Sequence, residues 1–172
     1  MDLHTQIALR LDRLQLLHHS ARRREMSEIG LWRGQMPILD FVIAHDGCTQ
    51  ARLAQELGLS PASVAISTKR MMHAGLLTKR ADDANLRCNK LSVTAAGREK
   101  AQKGRELAER HNAAVFSALT EDEQETLCTL LDRLIAHLDP DAGEVKPLDN
   151  YILKNRLVQD EIAEIKEEKE DR

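Results

Sequence analysis

Apolar positions recur along this chain with a period that changes in a fixed order. From Leu3 to about Arg24, the positions Ile7, Leu11, Leu14 and Ala21 fall on one helical stripe, which predicts a first helix. Leu9, Leu16 and Leu17 lie off that stripe. The apolar arc is therefore wider than one buried face requires, as at a subunit interface. A second helix is predicted from roughly Leu31 to His45, ended by Asp46-Gly47. Its buried face is Met36, Ile38, Leu39, Val42 and Ile43, and Pro37 falls in its first turns, where a proline is tolerated.

The period then shortens. Thr49 to Leu59 reads as a short helix capped by Thr49 and closed by Gly58. Ser60-Pro61 restarts a helix, with Ser60 as cap and Pro61 at the first helical position, where the missing N–H costs nothing. That helix runs through Ala62–Ala74 and stops at Gly75. Two short helices joined by a tight glycine-containing turn are a helix-turn-helix. Leu76–Arg80 and Lys90–Val93 are strand-like runs flanking the polar Ala81–Asn89 segment, so a β-hairpin, or wing, follows directly.

Helical periodicity returns at Thr94, which with Ala95, Ala96 and Gly97 opens a long polar helix reaching about Leu119. Thr120-Glu-Asp-Glu123 is a capping box that starts another. Leu127, Leu130, Leu131, Leu134, Ile135 and Leu138 form its dense stripe, ended by Asp139-Pro140. In Leu148–Arg172 the residues Tyr151, Ile152, Leu157, Val158, Ile162 and Ile165 keep roughly helical spacing before a charged end. The expected organisation is an N-terminal dimerisation helix (1–30), a winged helix-turn-helix domain (31–97), C-terminal dimerisation helices (98–140) and an acidic tail (141–172). The fold class is mainly α with a small β-wing, and the tail is expected to add a helix on the dimerisation region.

Composition narrows the function. With 172 residues, 42% hydrophobic, 31% charged and 2% aromatic, the chain has enough material for a core filled by aliphatic side chains. The N-terminal stretch is broken by Asp2, Arg10, Asp12 and Arg13, unlike a signal peptide, and no run approaches membrane-spanning length. Cys48, Cys88 and Cys128 lie far apart, which points to a reducing cytoplasm and against a disulfide framework or zinc cluster.

The net charge of −3 is unevenly placed. Thr49–Val93 carries seven Lys/Arg against three Asp/Glu, a balance of +4, whereas Pro140 onward carries six against ten, a balance of −4. A basic module on an acidic chain is what phosphate binding requires.

In this order the elements resemble the MarR family of bacterial winged helix-turn-helix regulators, over about Leu3 to Leu138. The matching residues are Leu31, Gln35, Ile38-Leu39, then Asp46-Gly-Cys-Thr-Gln50, Leu53-Ala54 and Leu57-Gly-Leu-Ser60. They continue with Ser63-Val64, Lys69-Arg-Met71, Ala74-Gly-Leu-Leu77, Arg87, and Leu91-Ser-Val-Thr94 with Gly97. Two departures stand out. Asn85 occupies the place where the family usually has an Asp that steadies the wing-tip arginine. Ile66 stands where many relatives carry an Arg on the recognition helix.

The resemblance implies a cytoplasmic, nucleoid-associated homodimer, most simply a repressor, on a pseudo-palindromic operator in double-stranded DNA. Helix 61–74 would enter the major groove and wing 79–90 the minor groove, with Arg87 at the wing tip in the narrow groove's negative potential. On a helix starting at Pro61, Val64, Thr68, Met71 and Met72 face Leu53 and Leu57, while Ala62, Ser63, Ala65, Ile66 and Lys69 face away. Ser63 can hydrogen-bond a base edge, and Ala65 or Ile66 can touch a thymine methyl. Lys69, Arg70, Gln50 and Arg52 are better placed for phosphates. Ser60, Arg80 and Lys90 complete the DNA-facing set. For Ile66, partial burial within the domain is an equal alternative, and Arg52 alone reads as a solvated surface residue.

Relatives often bind small aromatic or phenolic anions between the dimerisation helices and the DNA-binding lobe. Here that neighbourhood would involve His18, His19, Arg22, Trp32, Arg33 and Met36. The plainer reading, which is preferred, makes Trp32 a core filler and the His18-His19 pair solvated. Cys48 precedes a helix N-terminus, which could lower its thiol pKa for redox sensing, although quiet packing is the simpler role. No cofactor, metal or catalytic constellation is expected: the seven His are scattered, and there is no phosphate-cradling glycine loop or nucleophile elbow. The rival reading from another class is a protein-interaction module using the winged helix or the acidic tail.

Overall fold

The computed structural model describes residues 1–32, 34–82, 85–141, 143 and 151–152, with backbone only at 81–82 and 85–89. They form two compact units, Met1–Arg33 with Gln102–Asp141 and Gly34–Ala101 with Ala142–Arg172. The fold is mainly helical with one small antiparallel sheet. The expected tail helix over Leu148–Ile165 lies outside the described residues except at Tyr151 and Ile152.

In the first unit, α1 (Leu3–Glu28) starts at Asp2, whose carboxylate accepts from the Thr5 N–H and hydroxyl at 2.9 and 2.7 Å. The helix continues past the predicted end at Arg24, because nothing breaks it before Gly30, which adopts φ +68°. There the Leu31 N–H returns to the Met26 carbonyl at 2.9 Å.

The second helix of this unit, α6 (Glu121–Leu138), begins at the predicted capping box. The Thr120 hydroxyl accepts from the Glu123 N–H at 3.3 Å, and the Thr120 N–H donates to the Glu123 carboxylate at 2.9 Å. That N–H, together with the Thr120 hydroxyl, holds the Glu123 carboxyl below the usual carboxylate range. A carboxylate held down in the fold stabilises at neutral pH, and its contribution disappears as pH falls through the folded value. Thr120→Ala is expected to destabilise the protein by about 1 kcal/mol. In thermal melts the deficit of Glu123→Ala, which removes the carboxylate itself, should shrink on acidification below the usual carboxylate range; a deficit that does not change with pH would mean that the carboxylate's bonds to Thr120 do not stabilise the fold.

Neither α1 nor α6 has a buried residue. Leu3, Leu9, Leu16 and Leu17 of α1 and Leu130, Leu134 and Leu138 of α6 are all exposed.

The second unit holds the core. Its first helix, α2 (Gln35–Ala44), begins at Gln35 rather than Leu31, since Gly34 in the left-handed region at φ +84° cannot continue a helix. Ile38, Leu39, Phe41 and Val42 are its buried residues. Met36 and Ile43, expected inside, are half-buried. Phe41 takes the inner place, with the His45 ring stacked on it at 4.4 Å.

β1 (Cys48–Thr49) leads into α3 (Gln50–Leu57), then α4 (Pro61–His73), β2 (Leu77–Asp82) and β3 (Asn85–Val93). The sheet order is β1-β3-β2, with Cys48 opposite Leu91 and Leu77 opposite Val93. The wing strands are longer than the sequence predicts, since the polar 81–89 stretch is largely strand. α5 (Ala95–Phe116) begins in this unit and runs on into the first. Leu53, Leu57, Val64, Met71 and Leu91 are among the side chains that fill the core.

No helix among the described residues is long and apolar enough to cross a membrane.

Candidate nucleic-acid interface

The helix-turn-helix is assembled by local chemistry at each end of its turn. Thr49 caps α3, its hydroxyl accepting from the Arg52 N–H at 3.2 Å. Gly58 closes α3 at φ +62°, where a side chain would be strained, and the Leu59 N–H returns to the Ala54 carbonyl at 2.9 Å. The Ser60 hydroxyl then accepts from the Ser63 N–H at 3.2 Å and starts α4 with Pro61 in its first turn.

Rotation of α4 about its axis is set by its inner face. Val64, Thr68 and Met71 are completely inaccessible. The buried Thr68 hydroxyl donates to the Val64 carbonyl at 2.7 Å and accepts from the Gln50 side-chain amide at 2.6 Å. This pair of bonds satisfies the hydroxyl and ties α3 to α4 across the turn.

The outer face carries Ala62, Ser63, Ala65, Ile66, Lys69 and Arg70, all exposed as the sequence orders them. Ile66 is 53% exposed, so about half of its surface is open to solvent and the rest is covered by the domain. Ser63 accepts a bond from the Ser60 hydroxyl at 2.8 Å and keeps its own proton to donate.

Other residues of the expected set already have partners. Gln50 holds Thr68, Ser60 caps the helix, and Arg52 lies 3.8 Å from Glu56 in an exposed i,i+4 pair of little energetic weight. On the wing, Arg80 stands opposite Lys90 in the ladder, which concentrates positive charge near its root. Arg87 belongs to β3, but its side chain is outside what is described.

One surface residue escaped the sequence reading. His73, in the last turn of α4, joins Ile66, Lys69 and Arg70 around an open concavity of about 400 Å³. The four positions are spaced i, i+3, i+4 and i+7, a signal that could have revealed the stripe.

Of the expected effector neighbourhood, His18, His19 and Arg22 lie on α1 and Met36 belongs to the other unit. Arg33 is outside the described residues. Trp32 is not a core filler: its side chain is 69% exposed, and the preceding Leu31 is the one taken into the interior. His19 is exposed, whereas His18 is half-buried and bonds Asn112 at 3.2 Å.

The His18 ring packs edge-on to His111 of α5 at 4.8 Å, and His111 Nδ1 meets the Glu25 carboxylate at 3.1 Å. Among the described residues, His111 Nε2 and Glu25 Oε2 are buried without a hydrogen-bond partner. His111 and Asn112 are distant in sequence from His18, and no local pattern marks them as its neighbours, whereas Glu25 lies two turns further along α1.

The Cys48 thiol is pushed up from its ordinary value by burial, against the opposing charge of Arg52. Desolvation therefore outweighs any lowering by the α3 N-terminus, which leaves no activated thiolate at this position.

Comparison with known proteins places this geometry. A family model described as "MarR family" matches residues 29–87. The HTH-type transcriptional regulator YybA of Bacillus subtilis is 27% identical over 122 residues, spanning 71% of this chain and 81% of the relative. The crystal structure of YusO from Bacillus subtilis superposes with a TM-score of 0.71 at 21% identity, covering 77% of this chain and 94% of that one. A Staphylococcus aureus MepR mutant bound to an oligodeoxyribonucleotide gives 0.61 at 17% identity, covering 77% and 98%. Identities this low in the solved structures speak for the shared fold.

Proposed function

We propose that this chain is a transcriptional regulator of the MarR family, a homodimer that binds a pseudo-palindromic operator and represses transcription from it. The observation that carries this reading is the outer face of α4. Its small, polar and basic side chains are exposed, while the Gln50–Thr68 tie fixes the helix from behind. A helix presented this way can enter a major groove, with Ser63, Ala65 and Ile66 toward the bases and Lys69 and Arg70 toward phosphates.

In this reading the wing, including Arg80, Arg87 and Lys90, follows the adjacent minor groove and backbone. Ser60 and Gln50 act mainly by positioning the recognition helix. Residues 1–30 and 98–140 supply the dimerisation region, and the exposed apolar faces of α1 and α6 support that assignment. A small aromatic or phenolic effector would release the protein from DNA, a role supported by the exposed Trp32 and by His18, His19 and Arg22 earlier in the sequence. The protein would act in the cytoplasm, at the nucleoid.

Lys69→Ala and Arg87→Ala are expected to weaken binding to a promoter fragment. Each should reduce the salt slope by about one unit for every phosphate left without its cation in each half-site. Ser63→Ala should instead change preference between operator sequences by roughly 1–3 kcal/mol. Anisotropy titrations across salt concentrations test both. If all three variants bound every sequence with the same reduced affinity, the division between positioning and reading residues would be wrong. An absence of salt-sensitive binding to any duplex would favour a protein-interaction module instead.

A further inference from the structure

We propose that the middle of α4 reads the 5-methyl group of thymine, with Ile66 as the reading residue and Lys69, Arg70 and His73 clamping the flanking backbone. This rests on the DNA-binding reading and adds the chemical class of base that the face selects. The four side chains share one stripe of the helix and line a single open concavity of about 400 Å³ whose wall is mostly carbon. Ile66 supplies the wall with half its surface in solvent. The ends of Lys69, Arg70 and His73 have no ion pair or side-chain hydrogen bond among the described residues. The stripe cannot turn inward, because Val64, Thr68 and Met71 are fully buried directly behind it.

An aliphatic socket with unneutralised polar groups around it suits a ligand with an apolar centre and an anionic surround. In the major groove only thymine offers that centre, since the other base edges there present donors and acceptors. Ile66 has no group with which to satisfy such edges, and covering them would strip their water without replacement. Against a thymine methyl the same side chain gains by hydrocarbon contact alone. The phosphates on either side are then within the reach of long or imidazole-bearing side chains on the same helix face.

The test uses the full-length protein and an operator isolated by repeated selection from a random duplex pool. Each thymine of the half-site is replaced in turn by uracil, which removes the methyl and nothing else. One such replacement in each of the two half-sites is expected to weaken wild-type binding about fifteenfold, which is about fourfold for each buried methyl-sized group lost. Ile66→Ala should bind the thymine and uracil duplexes equally, and His73→Ala should weaken both alike. If no thymine responds, or if Ile66→Ala stays as methyl-sensitive as wild type, the inference is overturned. An unchanged affinity for His73→Ala removes that residue from the clamp and overturns its part. Lys69→Ala separates the two levels. If it weakens binding while methyl removal has no effect, only this inference fails. If no operator is selected and Lys69→Ala has no effect either, the DNA-binding reading fails with it.

Discussion

Gly97→Ala is expected to destabilise the protein by about 3 kcal/mol or more, lowering its melting temperature by roughly 6–12 °C. A Cβ at this position would lie 2.2 Å from the Leu76 carbonyl oxygen and 2.7 Å from a Val93 methyl. The carbonyl cannot step aside freely. It accepts from the Thr94 N–H at 3.1 Å and the Thr94 hydroxyl at 3.2 Å, which together dock the start of α5 onto the end of the α4–β2 turn. The Gly97 N–H in turn donates to the same hydroxyl at 3.0 Å, so relief of the clash has to disturb the cap.

Gly75 makes a useful contrast. At φ +70° with open space around the added atom, Gly75→Ala should show only backbone strain, on the order of 1–2 kcal/mol. Thermal melts followed by circular dichroism rank the two. If Gly97→Ala melted at or above Gly75→Ala, close packing at this junction would not be what requires glycine.

The second large effect concerns assembly. Leu130→Glu combined with Leu134→Glu is expected to convert the protein to monomers and to weaken operator binding a hundredfold or more. Both leucines are about half exposed, at 49% and 50%, on a helix with no buried residue of its own. Charges placed there would have to be desolvated in any interface that uses this face. DNA affinity follows because the second half-site is otherwise engaged at high effective concentration, an advantage of about 10²–10⁴ that a monomer lacks. Light scattering at micromolar concentration should give a dimer mass for wild type and a monomer mass for the variant. A dimeric variant would move the interface away from α6. A monomeric wild type would refute the assembly itself.

Much of the fold was legible because its signals are local. Thr49, Gly58, Ser60-Pro61 and the Thr120–Glu123 box each specify a helix end through bonds spanning only a few residues. The caps appear where the sequence puts them. The face of α4 was legible for the same reason, since helical periodicity alone separates Val64, Thr68 and Met71 from Ser63, Ile66 and Lys69. What escaped depends on contacts between distant segments. Strand β1 is two residues long and exists only because β3 returns to pair with it. His111 meets Glu25 and His18 through the juxtaposition of two helices that no spacing encodes. Trp32 was misjudged because composition made a lone indole look like core material, whereas the interior is filled by Leu, Ile, Val and Met side chains and Phe41. The DNA-facing set read from the sequence ends at Arg70 on α4 and leaves out His73, although the helix itself is read through to Ala74.

The pairing of β1 with β3 also bears on how such a protein could diversify. The hairpin is held at its base twice, by Leu77 opposite Val93 and by Cys48 and Thr49 opposite Leu91 and Lys90. Buried Leu77, Leu91 and Val93 anchor that base in the core, and Thr49 also begins α3. The contacts that hold the base of the hairpin thus lie outside Ala81–Asn89, on both sides of it in the sequence. Substitutions and length changes in that stretch can accumulate without disturbing the core, so a duplicated copy has a place where a new operator preference can arise while the helix-turn-helix stays intact.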